Sequence, residues 1–156
     1  MNMYRPWYFD SRFWLIFFAD RITKQWALSA CKAPVVVIRD WITLRLAFNR
    51  GVSWSLFHTE TFWGFFILST AIFFVLAFLA KHTLDEQRQG KEVIGNILVL
   101  AGGFANFSDR ISTGAVVDFI AVAHGTWAFP VFNIADIAVT SGICLMVYAL
   151  LQGDAE

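Results

Sequence analysis

Residues 61–80 read TFWGFFILSTAIFFVLAFLA and contain no charged side chain. About 20 consecutive apolar residues, arranged as a helix, cross the hydrocarbon core of a bilayer, so this stretch predicts a transmembrane helix. The composition of the whole chain agrees, because 58% of its 156 residues are hydrophobic and only 15% are charged. This balance is outside the usual range of soluble domains. We therefore expect an integral membrane protein.

Three other apolar stretches extend this pattern, and each of them contains polar residues. The predicted spans are approximately residues 12–29, 61–80, 93–109 and 132–151. We expect residues 1–156 to form a single integral-membrane domain, an all-α bundle of four transmembrane helices with both termini on one side. Asp20 and Arg21 interrupt the first span, so we expect it to be retained rather than removed as a signal peptide. The polar link KHTLDEQRQGK, residues 81–91, predicts a solvated loop between the second and third spans.

The segment between the first and second spans has a different character. Residues 34–57 are rich in Val, Ile, Thr and Trp, and apolar and polar side chains partly alternate at residues 42–47. This pattern favours short β-strands. We predict a small β-rich insertion outside the membrane, between helices 1 and 2.

Charge and cysteine content limit the possible partners. The chain has 12 Lys and Arg against 12 Asp and Glu, so net charge gives no reason to expect nucleic-acid binding. The basic residues are divided evenly between the two predicted sides of the membrane, so the positive-inside rule does not decide the orientation. Cys31 and Cys144 lie far apart in different kinds of segment, and we expect no disulfide between them.

Two acidic residues lie in apolar sequence near the ends of the last two spans. Asp118 lies in GAVVDFIAV, after the third span, and Asp136 lies near the start of the fourth. A charged side chain at membrane depth costs about 3 kcal/mol on insertion scales, so each is a functional-site hypothesis. Gly125 and Pro130 can turn the intervening chain back, which would let the two carboxylates meet and share one proton. Such a pair can act as an aspartic peptidase; alternatively, each acid caps a helix or pairs with Arg110.

Polar residues near these acids also have more than one interpretation. Asn133 lies three residues before Asp136, on the same helix face. Its amide can hold a carboxylate or a substrate backbone, or it can cap the fourth helix. Gly102, Asn106 and Arg110 are spaced by four and form one stripe on the third span. Gly102 permits close helix packing, Asn106 offers donors inside the bundle, and Arg110 either presents a fixed cation or extends to the headgroups.

Other residues favour structural roles or exclude other chemistries. Asp20 and Lys24 are four residues apart on the first span and predict an ion pair. The three histidines are scattered, without an HExxH motif or a cysteine pair, so no metal site is predicted. The sequence also has no GxSxG motif and no glycine-rich phosphate loop.

Five motifs, taken together and in order, carry a family resemblance. They are DRITK at residues 20–24, NRGVSWSLF at 49–57, GGFANFSDR at 102–110, GAVVDFI at 114–120 and FPVFNIAD at 129–136. On four predicted spans, this set resembles lipoprotein signal peptidase, the signal peptidase II family of bacterial membrane aspartic peptidases. Each motif alone would be weak, but the five cover nearly the whole chain.

The resemblance implies a role for each matching residue. Asp118 and Asp136 match the catalytic aspartates of the family. Asn49 and Gly51 match residues of an extracytoplasmic β cradle beside the active site. The residues that match the polar lining of the substrate pocket are Asn106, Arg110 and Asn133, and those that match a structural motif of the first span are Asp20 and Lys24.

The resemblance also implies an activity and a location. The protein would be an aspartic endopeptidase that cleaves the signal peptide from diacylglyceryl-modified prolipoproteins, on the N-terminal side of the lipidated cysteine, with water activated by an aspartate dyad. Its partners would be that substrate and membrane lipid, with no metal or organic cofactor, and we expect a monomer. It would be a multi-pass protein of the bacterial cytoplasmic (inner) membrane, with cytoplasmic termini and its active site near the outer leaflet.

The chain departs from the family pattern at two positions of the third-span motif. Ala105 stands where the family usually has glycine, and Ser108 stands where an apolar residue is more typical; neither belongs to the dyad. Four aromatic residues near the predicted site either clasp acyl chains or anchor the protein at the membrane interface. They are Trp54, Phe57, Trp127 and Phe129.

Two functions of other classes remain open on the residues alone. A small transporter or proton-relay protein could line a polar path with Asp20, Asp118 and Asp136. A non-catalytic assembly protein would tolerate the loss of both predicted catalytic aspartates. Cleavage of a lipidated precursor, compared with an unlipidated one, separates these hypotheses.

Overall fold

The structure, a computed structural model, describes residues 6–39, 41–51 and 61–153. These residues form four α-helices: α1 (Ser11–Ala30), α2 (Phe62–Arg88), α3 (Ile94–Thr113) and α4 (Ile134–Gly153). One turn of 3-10 helix, Trp7–Phe9, precedes α1. The four predicted helices are therefore present, with their ends shifted from the predicted positions.

Local chemistry accounts for several helix ends. The side chain of Asp10 accepts a hydrogen bond from the main-chain N–H of Arg12 and caps α1, and Thr61 caps α2 in the same way through Gly64. Gly114 follows α3 with φ of +71°, a left-handed conformation that glycine adopts without steric cost.

The prediction of a solvated loop over residues 81–91 is wrong for most of that segment. Helix α2 continues to Arg88, because Lys, Glu, Gln and Arg are good helix formers and their side chains are solvated on a helix as well as on a loop. Lys81 pairs with Asp85 one turn later, with 2.9 Å between nitrogen and oxygen. The turn to α3 is consequently short and contains Gly90 at φ of +75°.

Two helices of the described residues are long and apolar enough to cross a membrane. They are α2 and the Ile134–Gln152 part of α4. Helix α2 exposes many large apolar side chains, among them Phe66, Phe74 and Phe78, a surface typical of helices in contact with lipid. Helices α1 and α3 instead contain charged residues that are buried between helices.

A four-stranded antiparallel sheet completes the described structure. Its strands are β1 (Val35–Ile38), β2 (Ile42–Asn49), β3 (Val116–His124) and β4 (Trp127–Ala128), in the order β1-β2-β3-β4. Strands β1 and β2 confirm the predicted β-rich insertion as far as residue 49, and residues 52–57 lie outside the described residues. Strands β3 and β4, which lie between α3 and α4, were not predicted. The run VVDFIAV has the β-branched and aromatic composition of a buried strand.

Helix α3 lies at the centre of the packing. One apolar cluster joins α1, α2 and the first half of α3 through Phe13, Leu76 and Leu100. Between α3 and α4 the backbones approach closely: a Cβ atom on Gly102 would lie 2.4 Å from the carbonyl oxygen of Ala135. This geometry confirms the prediction that Gly102 permits close helix packing.

Candidate active site

Asp118 lies on β3, and the register of the sheet determines its neighbours. Ala47 of β2 is directly opposite Asp118, so Asn49, two residues further along β2, lies diagonally across on the same face. The side chain of Asn49 forms a hydrogen bond with Asp118. A second amide, Nδ2 of Asn133, lies 2.6 Å from Asp118 Oδ1. Asp118 is only 2% exposed, and these amides replace hydrogen bonds that water would otherwise provide.

Asp136 is the third residue of α4 and keeps part of its surface accessible. Its Oδ1 accepts a hydrogen bond from Nδ2 of Asn106, at 2.9 Å. Its Oδ2 accepts one from the main-chain N–H of Asn133, at 3.2 Å. An acid in the first turn of a helix also interacts favourably with the helix dipole.

Asn133 connects the two acids. Its Oδ1 accepts the main-chain N–H of Asp136, at 2.9 Å, which is an N-cap bond to α4. Its Nδ2 donates to Asp118 and also lies 3.1 Å from Oδ1 of Asn106 and 3.3 Å from the carbonyl oxygen of Val117. Both interpretations of Asn133 therefore hold at once: the residue caps α4 and it holds a carboxylate.

The surroundings of Asp118 favour its protonated form. Burial raises the pKa of Asp118 from its ordinary value of 3.8 to about 7, and the negative charge of Asp136 acts in the same direction. The hydrogen bonds from Asn49 and Asn133, and the charge of Lys24, lower the pKa but do not cancel the effect of burial. The site can therefore hold a proton near neutral pH.

Arg110 is buried beside the site rather than extended toward headgroups, so that alternative is wrong. Its side chain is 8% exposed. Nη2 donates to the carbonyl oxygen of Gly51 at 2.7 Å, and Nη1 lies 3.3 Å from that of Asn106. The guanidinium thus connects α3 to the end of β2, and Gly51 in turn donates its N–H to Oδ1 of Asn49.

The predicted ion pair of α1 is confirmed. Nζ of Lys24 lies 2.7 Å from Oδ2 of Asp20, and both side chains are buried. Asp20 has a second role that the sequence did not indicate: its Oδ1 accepts the main-chain N–H of Ala135, at 2.9 Å. Helix α1 therefore contributes to capping α4 one residue before Asp136.

Two charged residues that belong to the same group as Asp20 and Lys24 were not predicted as part of the site: Asp109 and Arg21. Asp109 is 1% exposed, forms salt bridges with Arg21 and Lys24, and accepts the N–H of Val117 at 3.3 Å. The available signal was its spacing: Asp109 lies three residues after Asn106, on the same side of α3, and a buried acid requires a partner.

Of the four aromatic residues predicted near the site, two are described. Trp127 on β4 is 55% exposed, and its ring centroid lies 6.2 Å from that of Phe129. Their role as anchors or as acyl-chain contacts stays a prediction. Trp54 and Phe57 lie outside the described residues.

The described residues include no group of three or more His, Cys, Asp or Glu that could hold a metal ion. The described residues bring together two carboxylates and three asparagine amides, with the buried positive charges of Lys24 and Arg110 nearby. Such an arrangement can keep one carboxyl protonated and the other ionised. The ionised member can accept a proton from water, and the protonated member can donate one to a carbonyl oxygen.

The proteins that this chain resembles are peptidases. Residues 13–152 match a family model described as signal peptidase (SPase) II. The lipoprotein signal peptidase of Dichelobacter nodosus (strain VCS1703A) is 32% identical over 150 residues, covering 94% of this chain and 97% of that protein. The lipoprotein signal peptidase of Azoarcus sp. (strain BH72) is 32% identical over 149 residues, covering 89% of this chain and 82% of its own length.

A solved structure has the same fold. It is a bacterial membrane enzyme determined by the in meso method at 2.3 Å resolution, with 29% sequence identity and a TM-score of 0.71, covering 90% of this chain and 85% of its own. A second bacterial membrane enzyme, at 1.9 Å resolution, gives 28% identity and a TM-score of 0.64, covering 89% of each chain. The chain is therefore a peptidase, and it belongs to the signal peptidase II family.

Proposed function

We propose that this peptidase cleaves the signal peptide from diacylglyceryl-modified prolipoproteins, on the N-terminal side of the lipidated cysteine, with Asp118 and Asp136 as the catalytic dyad. The relatives named lipoprotein signal peptidase support the substrate class. The observation that carries the dyad is the position of Asn133, which donates to both carboxylates, one through its side chain and one through its main chain.

The reaction follows from a pair of acids that holds one proton. The ionised carboxylate removes a proton from a water molecule while the oxygen attacks the scissile carbonyl carbon, and the protonated carboxyl donates to the carbonyl oxygen. The tetrahedral intermediate collapses when the C–N bond breaks: the carboxyl that took the proton from water donates it to the leaving amine, and a hydroxyl group of the intermediate returns its proton to the other carboxylate, so the dyad again holds one proton. We assign the shared proton to the pair rather than to one residue. Neither the metal nor the nucleophilic side chain of other peptidase classes is needed.

The polar residues around the dyad have supporting roles in this proposal. Asn49 and Asn133 hold Asp118, and Asn106 holds Asp136. Arg110 donates to the carbonyl oxygen of Gly51 and so holds this residue, which lies just after the end of β2. In the proposed enzyme these groups also face the substrate backbone.

The proposed topology places the chain as one multi-pass domain in the cytoplasmic (inner) membrane. All four helices cross the bilayer, the termini are cytoplasmic, and the sheet and dyad lie near the outer leaflet. The acyl chains of the substrate stay in the bilayer, since each buried methylene contributes about 0.8 kcal/mol to membrane binding, and they deliver the scissile bond to this depth. The enzyme acts as a monomer in contact with lipid.

Activity of the purified protein on a lipidated precursor tests the function. The wild-type protein should cleave the diacylglyceryl-modified precursor and leave the unlipidated one intact. Asp118→Asn and Asp136→Asn should remain folded and reduce kcat by at least about 10³-fold, the scale seen when essential catalytic groups are removed. Full processing by either variant would refute the dyad. A proton flux through vesicles without cleavage would instead favour a proton-relay protein.

Labelling of single cysteines tests the topology. In a background with Cys31→Ala and Cys144→Ser, Thr126→Cys lies in the turn between β3 and β4, and Gln89→Cys lies in the turn between α2 and α3; both positions are exposed. A membrane-impermeant thiol reagent should label the first from outside intact cells and the second only after lysis. The reverse pattern would overturn the proposed orientation.

A further inference from the structure

Three asparagines face the two acids, and each has its side-chain oxygen occupied by a group that can only donate. Asn49 Oδ1 accepts the main-chain N–H of Gly51 at 2.9 Å, and Asn133 Oδ1 accepts that of Asp136 at 2.9 Å. Asn106 Oδ1 accepts from Nζ of Lys24 at 2.8 Å. An amide whose oxygen is held in this way must direct its NH₂ group to the opposite side.

As a result, the NH₂ groups of Asn49 and Asn133 are directed to Asp118, and that of Asn106 is directed to Asp136. Main-chain groups provide this orientation for Asn49 and Asn133, and a side chain provides it for Asn106. The orientation of Asn106 matters for Asp136, because Nδ2 of Asn106 donates to Asp136 Oδ1 at 2.9 Å. With the amide reversed, two oxygens would face each other at that distance.

The ammonium group of Lys24 lies between two carboxylates and one amide oxygen. It has three N–H groups and no acceptor, and its three neighbours are Asp20 at 2.7 Å, Asp109 at 2.7 Å and Asn106 at 2.8 Å. Lys24 is 1% exposed. The side chain is therefore held in one position by two ion pairs, and its ammonium group donates a hydrogen bond to Asn106.

A second donor, Nδ2 of Asn133, also lies near the Asn106 oxygen, and its contribution is weaker. Its distance is 3.1 Å, against 2.8 Å for Lys24, and its two hydrogens are divided among three acceptors. Hydrogen bonds from charged donors are roughly twice as strong as neutral ones. Lys24 is thus the stronger determinant of the Asn106 orientation.

We propose that Lys24 is a positioning residue of the active site: it fixes the amide of Asn106 so that this amide donates to Asp136. This role goes beyond the ion pair with Asp20, and it rests on the proposed catalytic function of Asp136. Lys24 does not touch the substrate in this proposal, so its effect must pass through Asn106.

The test is a double-mutant cycle in a charge-balanced background. Removal of Lys24 alone would leave the buried carboxylate of Asp20 without its ion-pair partner, whereas Asp109 would keep Arg21, and an unpaired buried charge is strongly destabilising. In an Asp20→Asn background, Lys24→Met leaves the salt bridge between Asp109 and Arg21 in place, and the asparagine oxygen can still accept the main-chain N–H of Ala135. The cycle compares Lys24→Met in that background with and without Asn106→Leu, by kcat and KM on the lipidated precursor and by thermal unfolding in detergent.

We expect Lys24→Met to lower kcat by about 10-fold or more, the scale of one hydrogen bond to a charged group, with KM changed less than about twofold. Once Asn106→Leu is present, the same change should lower kcat no further. Lys24→Gln is the matched control, because glutamine is similar in size to methionine, is uncharged, and can still donate to Asn106. It should retain more kcat than Lys24→Met.

An equal loss of kcat with and without Asn106→Leu would overturn the proposal, while cleavage by the parent protein would leave the proposed function intact. Asn106→Asp gives a second measurement that leaves Lys24 in place. An aspartate there still accepts from Lys24 but presents an oxygen instead of a donor to Asp136, so we expect kcat to fall at least about 10-fold. Retained kcat in Asn106→Asp would also overturn the proposal.

Discussion

Asn133 and Asp136 bind each other reciprocally at the start of α4. The main-chain N–H of Asp136 donates to Oδ1 of Asn133 at 2.9 Å, and the main-chain N–H of Asn133 donates to Oδ2 of Asp136 at 3.2 Å. This is the geometry of a capping box, with asparagine in place of the usual serine or threonine and aspartate in place of the usual glutamate or glutamine. One pair of residues therefore begins the helix and fixes a proposed catalytic carboxylate.

The two roles of Asn133 can be separated by substitution. Serine is as good an N-cap as asparagine, so Asn133→Ser should keep the unfolding temperature near that of the wild type. It has no amide to donate to Asp118, and we expect kcat to fall by about 10-fold or more. Asn133→Ala should lose the cap as well, at a cost of about 1 kcal/mol of stability. Equal stability of the two variants would contradict a capping role.

The raised pKa of Asp118 predicts how stability depends on pH. Its pKa is raised to about 7 in the folded protein, so between about pH 4 and pH 7 the folded state holds a proton that the unfolded chain releases. Stability from this group is complete below pH 4 and is lost as pH rises through 7. Because asparagine cannot ionise, the unfolding temperature of the wild type should fall relative to that of Asp118→Asn as the pH rises across this range. Parallel curves would contradict the raised pKa.

The same residue predicts the alkaline limit of activity. A dyad that needs one proton should lose kcat/KM as the pH rises above about 7, where Asp118 ionises. The hydrogen bond from Asn49 lowers the pKa of Asp118, so Asn49→Ala should move the alkaline limit to higher pH. A shift to lower pH in the measured pH profile would contradict this account.

Two adjacent glycines of α3 should respond differently to an added methyl group. A Cβ on Gly102 would lie 2.4 Å from the main-chain oxygen of Ala135, whereas one on Gly103 would lie 2.4 Å from the end of the Leu76 side chain. A side-chain end can move aside and a helix backbone cannot. We expect Gly102→Ala to destabilise the protein by about 1–3 kcal/mol and to lower activity. Gly103→Ala is the control and should change unfolding temperature and activity much less.

Two Asp–Lys pairs, each with its members four residues apart, should contribute differently to stability, because only one of the two pairs is buried. Asp20 and Lys24 are both nearly inaccessible, whereas Asp85 and Lys81 are exposed on α2. Asp20→Leu removes one partner of a buried pair, which costs about 3–5 kcal/mol, and it also removes a cap of α4. Asp85→Leu should leave the unfolding temperature nearly unchanged. Thermal unfolding of both variants in the same detergent makes the comparison.

The sequence predicted much of the site because the relevant signals are local. A carboxylate such as Asp136 in apolar sequence is conspicuous, and the spacing of Asn133 to Asp136 fixes a shared helix face. Asp109 escaped notice because it stands beside Arg110, near a helix end where charges are common. Strand β3 escaped notice because a short apolar run fits a buried strand and a helix equally well.

By itself the sequence determined the helices, the position of the first two strands and the residues that carry the family motifs. These signals are local: a helix shows an apolar run or residues spaced by three and four, and a strand shows residues that alternate by two. Only the tertiary structure decided which distant groups meet: Asp20 caps α4 through Ala135, 115 positions away, and Lys24 reaches Asn106, 82 positions away. Those contacts exist because glycines let α3 and α4 approach closely, and because a buried charge cannot be solvated by water and must pair with another protein group. Both conditions depend on how the helices pack.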